Sequence, residues 1–449
     1  MNFSRFQLRS AVSAAAAAAA VGCFGNPMPA VVRPSQARCE SSETPAPGGA
    51  KLKLVQMVVR HGARTPLTLQ YWDGAEWDKE SLCGQQFSAV QLSLSAMGGG
   101  PRPSSVHDKR QMDTILPGGC SKGELTRHGQ MQSRNLGKWL RDRYMSGLGF
   151  IPDSFQTDQV YCRSTNYQRT VATLHGVLTG LYPTESKPVP VETAQDVDEV
   201  LFANVGSCER LQQLLVKARQ RVRATDREQG LLQLTEEVKK AMHMPGDEAI
   251  DFIDLYDALS CLRFHGKPLP GEMTPELLKE VEHVALRRMA AMVSPAQVLP
   301  GSQELVTLGM GQLFALITER MQAVASGSQQ GSAGPKMLLY AGHDTTIMPI
   351  LTSLGYDMQD WPPYLSNVIF ELWERDGQHY VQVLYNLDPM TLPESKPGEP
   401  VTLKYFVDKT LGRFLIAEGD RDAACRVTYD HQDSAPRPKQ GGGDSFQGL

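Results

Sequence analysis

Three stretches of the chain are apolar almost without interruption and end abruptly in charge. "KLKLVQMVV" from Lys51 stops at Arg60, "DQVYC" from Asp158 stops at Arg163-Ser164, and "KMLLYAG" from Lys336 stops at His343-Asp344. Short valine- and leucine-rich runs between polar residues predict strands buried on both faces, the pattern of a parallel sheet. Between Pro183 and Gly327 the period changes. "CERLQQLLVKARQRV", "LLQLTEEVKKAM", "AIDFIDLYDALSCL", "TPELLKEVEHVALRRMAAM" and "SQELVTLGMGQLFALITERMQAV" space their apolar residues three and four apart, which predicts helices. Thr274-Pro275 supplies an N-cap with proline at the first helical position. Further on, "NVIFELWER" and "QHYVQVLYN" flank Asp376-Gly377, the signature of a two-residue hairpin.

These elements predict an α/β fold: an open, mostly parallel core sheet flanked by helices, with an inserted helical cap domain. The expected core comprises residues 50–182 and 335–418, and the cap residues 183–327. Residues 67–118, with "AMGGGPRPSS", are expected to be a long irregular insertion over the site, and Ser326 to Pro335 a linker. The polar, Gly-rich residues 431–449 are expected to be disordered. Residues 1–45 read as a targeting segment and linker, with Arg5, Arg9, an alanine run from Ala14 to Ala20 and no acid before Glu40. That composition favours a mitochondrial transit peptide, with a secretory signal as the alternative.

Charge and cysteine content narrow the classes. With 45 basic and 49 acidic residues the net charge is -4, which offers no basic face for nucleic acid. After the first thirty residues nothing approaches the apolar length of about 20 residues that a bilayer-spanning helix needs. Six of the eight cysteines lie beyond the presumed targeting segment without a C-x-x-C pair, so no zinc site is suggested. The six would allow three disulfides in a secreted protein; the lone Asn-x-Ser/Thr acceptor, at Asn2, instead favours an intracellular home.

In an open parallel sheet, binding groups gather outside the carboxyl ends of the strands. The three strand ends would bring together Arg60, His61, Arg64, Arg163, His343 and Asp344. Arginines there form a receptacle for a tetrahedral dianion, since forked guanidinium donors match phosphate oxygens. Surrounding cations would keep His61 neutral and nucleophilic, and a bound dianion would keep Asp344 protonated as an acid for the leaving group. A second Arg-His-Gly, at Arg127-His128-Gly129, follows the N-cap Thr126 and precedes a helical pattern. His128 is therefore expected in a helix's first turn, outside the chemistry. Trp72, Trp77 and Trp361 stand in or near loops, as candidates for a lipid-chain pocket or for ordinary packing.

"RHGARTP", "RSTNYQRT" and "GHDTT", in this order, resemble the histidine acid phosphatases of the histidine phosphatase superfamily. The resemblance implies that His61 is the phosphorylated nucleophile and that Asp344 donates the proton. It implies that Arg60, Arg64, Arg163 and His343 bind phosphate, without metal or cofactor. "GGGPRP", "GGCSKGELT" and "WPPY" narrow it to the branch that hydrolyses lysophosphatidate to monoacylglycerol. The expected partner is then a lysophospholipid or another phosphomonoester, with transient membrane-surface contact possible, no nucleic acid, and a monomer favoured. A broader acid or inositol-phosphate phosphatase, or a non-catalytic phosphate binder, is the alternative.

Overall fold

The valine-rich run at Lys51 forms strand β1 (Lys51–Arg60), buried along nearly its whole length. The computed structural model describes residues 48–68, 74–84, 90–228, 231–293, 303–328 and 334–426. The expected targeting segment before residue 46, Trp72, and the tail from residue 431 lie outside the described residues.

β1 lies inside a nine-stranded sheet whose other members are β2 (Leu92–Ala96), β3 (Val160–Ser164), β4 (Val189–Thr193), β5 (Met337–Gly342), β6 (Asn367–Arg375), β7 (Gln378–Tyr385), β8 (Asp388–Pro389) and β9 (Val401–Thr402). The order is β2-β4-β3-β5-β1-β6-β7-β8, with β9 on β7. The first five run parallel; β6 lies antiparallel to β1 and β7 antiparallel to β6. The three strands expected from the apolar runs are thus immediate neighbours. Arg60 pairs with Gly342, and Ser164 with Ala341, so their carboxyl ends are level. The hairpin forms at Asp376-Gly377, where φ values of 53° and 75° give the left-handed pair that a type I′ turn requires.

Successive residues of β1 point to opposite faces. Leu54 and Val58 join a core with the helices Glu209–Glu228, Pro275–Val293, Gln303–Ala325 and Asp344–Ser353. Val55, Met57 and Val59 join another with the helices Arg127–Leu140 and Gln168–Leu181. A third core packs Trp77, Leu116 and the Cys83–Cys120 disulfide against the helix Phe252–Phe264. The five helices read from the sequence are present, and Thr274 caps its helix by accepting from Leu277 N at 3.1 Å. No helix among the described residues is long and apolar enough to cross a membrane.

Two expectations need correction. The stretch expected to be irregular contains β2 and the helix Val106–Asp113, and the block expected to be helical begins with β4. β2 pairs with β4 from Leu92↔Val189 to Ala96↔Thr193, so both belong to the sheet. Their side chains alternate between polar and apolar, and Pro190 interrupts β4, so neither forms an apolar run.

Candidate active site

β1 delivers His61 directly: His61 N donates to Gly342 O at 2.9 Å, extending the β1–β5 ladder by one bond. The next residue must pass close to the start of the helix Arg127–Leu140. A Cβ on Gly62 would lie 2.7 Å from Gly129 O, and one on Gly129 would lie 2.3 Å from Ala63 O, so neither position accepts a side chain without displacing backbone. The two Arg-His-Gly segments therefore meet through their glycines. Gly62 N donates to Thr173 Oγ1 at 3.0 Å, and Thr126 N to Ala63 O at 2.9 Å, which pins the turn.

The His61 ring is buried, with Nδ1 2.9 Å from Gly62 O. A carbonyl oxygen only accepts, so Nδ1 carries the hydrogen and Nε2 keeps its lone pair. Burial first, then the charges of Arg169, Arg64 and Arg60, hold the ring well below the ordinary imidazole pKa. His343 is pushed the same way by burial and the same three arginines. It is the N-cap residue of the helix Asp344–Ser353, with its N–H donated to Thr346 Oγ1 at 3.0 Å. Its Nδ1 lies 3.4 Å from Arg169 Nη2 and its Nε2 3.0 Å from Thr165 Oγ1. Arginine can only donate, so Nε2 of His343 carries the proton and Thr165 accepts it.

The cations are held on their outer sides. Arg60 Nη2 bonds Asp344 Oδ2 at 2.8 Å, Nη1 donates to Pro362 O, and the guanidinium lies 4.6 Å from the Tyr364 ring centre. Arg64 Nη2 donates to Asp257 Oδ1 at 2.7 Å, and the Nε atoms of Arg60 and Arg64 are buried without a hydrogen-bond partner. Arg169 Nη1 donates to Gln111 Oε1 at 2.7 Å; burial and the charge of Arg64 lower its pKa to about 10. Three arginines thus face two carboxylates and two neutral imidazoles, and the excess positive charge suits a dianionic ligand. Burial raises the pKa of Asp344, but Arg60, Arg64, Trp361 and Thr345 N outweigh it and hold the carboxyl below its ordinary value. The acid form expected from sequence is therefore not that of the unliganded protein.

The profile of the histidine phosphatase superfamily, branch 2, matches residues 51–386. The chain belongs to this family. It is 28% identical to lysophosphatidic acid phosphatase type 6 of Homo sapiens, over 84% of this chain and 87% of that protein. It is also 28% identical to human lysosomal acid phosphatase, over 62% and 66%. In structure it resembles a Hafnia alvei phytase, with a TM-score of 0.55, 17% identity and coverage of 86% of this chain and all of that one. A Bifidobacterium longum multiple inositol polyphosphate phosphatase gives a TM-score of 0.57 at 12% identity, covering 85% and 97%. These two likenesses concern the fold. Membership and the named relatives make the protein a phosphatase.

In this phosphatase Arg60, His61, Arg64, His343 and Asp344 come together as the sequence suggested, and Arg163 does not join them. Arg163 still lies within β3, in register with Tyr340, and its Nη2 bonds Glu199 Oε1 at 2.9 Å. Arg163 stands one residue short of the end of β3 with its guanidinium taken up by Glu199, whereas Arg60 is the last residue of β1. The arginine that reaches His343 is Arg169, six residues on in the same "RSTNYQRT" motif and in the first turn of the helix Gln168–Leu181. The motif itself carried the signal, but strand-end reasoning took its first arginine. Asp257 and Thr165 were missed as site neighbours, and Trp361, read as a candidate for a lipid-chain pocket or for packing, was not foreseen as a partner of Asp344. His128 is exposed, its ring edge-on to His265 at 5.6 Å. Trp77 is core, and Trp361 is buried with its Nε1 3.0 Å from Asp344 Oδ2.

Proposed function

We propose that the protein is a metal-independent phosphomonoesterase working through a phosphohistidine, with lysophosphatidate as its substrate. The carrying observation is His61, buried and neutral, with Nδ1–H committed to Gly62 O and the ring in the field of Arg169, Arg64 and Arg60. Nε2 attacks phosphorus, and the N–P bond forms as the P–O bond to the alkyl group breaks. Arg60, Arg64 and Arg169 hold the equatorial oxygens, and His343, fixed between Arg169 and Thr165, orients Arg169 beside them. Asp344 protonates the departing alkoxide. A bound phosphate dianion offsets the Arg60 and Arg64 charges and repels the carboxylate, which raises its proton affinity. Asp344 then takes a proton from the water that cleaves the N–P bond, which frees inorganic phosphate and neutral His61, and the carboxyl returns its proton to solvent when the phosphate leaves.

An apolar margin supports the lipid. Phe202 lies 5.8 Å from the His343 ring, Tyr364 6.0 Å from that of His61, and Phe264 5.2 Å from Tyr364. Such rings suit an ester with an apolar body better than a ring of further phosphates. The two lysophosphatidic acid phosphatase relatives of cattle and human, each 28% identical, support the same choice. Disulfides Cys83–Cys120 and Cys208–Cys425 favour an oxidising compartment, and so the secretory pathway over the reducing mitochondrial matrix.

The test is phosphate release, with EDTA present, from lysophosphatidate, phosphatidate, p-nitrophenyl phosphate and inositol hexakisphosphate. Preferential turnover of lysophosphatidate is expected, falling at least about 10⁴-fold in His61→Ala, on the scale of losing a nucleophile. His128→Ala should stay within about twofold, as an exposed residue outside the site. Turnover of the other esters alone would discard the lipid; activity surviving in His61→Ala would discard the phosphohistidine.

A further inference from the structure

Asp344 is held by three donors, and their division between its two oxygens is unequal. Oδ2 receives Arg60 Nη2 at 2.8 Å and the Trp361 indole Nε1 at 3.0 Å. Among the described residues, Oδ1 receives only Thr345 N, at 2.9 Å. A carboxylate oxygen has two in-plane lone pairs, so Oδ2 is full and Oδ1 retains one. A proton added to Oδ2 would have to displace one of two N–H groups, whereas Oδ1 accepts it without rearrangement.

Trp361 is itself fixed from the helical insertion. Its backbone N–H donates to Glu282 Oε1 at 3.0 Å, while Glu282 Oε2 takes Lys279 Nζ at 3.1 Å. The Tyr256 ring packs 5.2 Å from the indole. Trp361 and Glu282 are both buried. Packing alone would be met by any large ring at this position, whereas the indole also places a donor against the acid, which a phenyl ring lacks.

We propose that Trp361 is a positioning residue for Asp344: together with Arg60 it fills Oδ2 and so directs the transferable proton to Oδ1, which thereby serves the leaving group. This rests on the reading of Asp344 as the proton donor. It also gives the helical insertion a part in the chemistry, because Glu282 sets the indole that sets the acid. When phosphate competes for Arg60, Trp361 keeps Oδ2 engaged.

The test compares Trp361→Phe with wild type on lysophosphatidate, whose alkoxide leaves only with a proton, and on p-nitrophenyl phosphate, whose phenolate leaves without one. Turnover of lysophosphatidate should fall about tenfold or more, part of the 10²–10⁴ that a positioned acid contributes, and that of p-nitrophenyl phosphate less than about threefold. Loss of a donor to the carboxylate favours its protonated form, so the alkaline limb of kcat should move to higher pH. Equal losses on both esters, or an unmoved limb, would overturn the proposal. Should Trp361→Phe not fold, 3-benzothienylalanine at position 361 keeps the shape and removes the N–H, with the same expectations. Asp344→Asn in parallel separates the two levels. If its loss is confined to lysophosphatidate while Trp361→Phe is indiscriminate, Trp361 alone is misassigned. If Asp344→Asn slows both esters equally, Asp344 is not the acid and the proposal falls with it.

Discussion

Two clusters of buried charge touch the same sheet and are built to different ends. Behind β6, Glu371 accepts from Arg143 Nε at 2.8 Å and Nη2 at 3.0 Å, from Tyr144 Oη at 2.6 Å and from Trp373 Nε1 at 3.1 Å. One cation meets one anion in forked geometry, and neighbouring polar groups complete the carboxylate. Arg143 and Tyr144 are consecutive; the π-helical turn Arg141–Gly147 carries both to one acceptor. At the strand ends, by contrast, three arginines share two carboxylates, and the Nε atoms of Arg60 and Arg64 are buried without partners. Burial alone does not distinguish a site from a brace. The surplus of one sign does, because that charge is balanced only when a ligand of the other sign arrives.

The largest effect should come from opening the balanced cluster. Glu371→Gln leaves Arg143 buried without its anion and should cost about 3–5 kcal/mol of stability by urea unfolding. The folded fraction should keep its kcat/KM; a selective loss of activity would make Glu371 part of the site. Next comes Arg169→Ala, which should cost about 2–4 kcal/mol of transition-state stabilisation, read in kcat/KM, with little loss of stability because it relieves repulsion from Arg64. Arg163→Ala should show the reverse, with stability reduced and kcat/KM within about tenfold. Should Arg163→Ala cost more activity than Arg169→Ala, the clamp is wrongly drawn.

The smallest effect is on pH dependence. His61 and His343 take a proton less readily in the folded protein than in the unfolded chain. The unfolded state therefore binds more protons below about pH 6.5, and stability falls on acidification by up to about 1.4 kcal/mol per pH unit for each ring. Asp254, which burial and the neighbouring Asp251 and Asp257 push up to about 7, acts with the opposite sign. The measurement is consequently the difference between wild type and His61→Ala, unfolded in urea at pH 7 and pH 5. His61→Ala should be less acid-sensitive; equal slopes would mean that the ring is not held neutral.

Sequence carried the parts of the fold that depend on local pattern. β1, β3 and β5 are legible because strands buried on both faces must be apolar throughout, and the helices because their stripes recur every three to four residues. Arg60, His61, His343 and Asp344 follow from those strand ends. The elements that escaped depend on tertiary surroundings. β2 and β4 are short and partly polar and are defined by pairing with each other. Arg169 reaches the site only because Thr165, Asn166 and Tyr167 turn the chain into a helix aimed at His343. Asp257 and Trp361 are ordinary residues of a helix and a loop until packing sets them against Arg64 and Asp344.

The position of β1 has a consequence for biosynthesis. Its two neighbours, β5 and β6, begin at Met337 and Asn367, so this valine-rich strand of the nascent chain waits through some 280 residues of translation before either edge is covered. The same interval separates His61 from Asp344, and no fragment ending before Asp344 can hold both. An unpaired valine-rich strand is a template for aggregation, which makes assembly late, dependent on distant contacts and exposed to mispairing. Truncations that remove β5 or β6 should accordingly accumulate as insoluble protein rather than as a weakened enzyme, and a chaperone able to shield β1 would be needed most before its partners emerge.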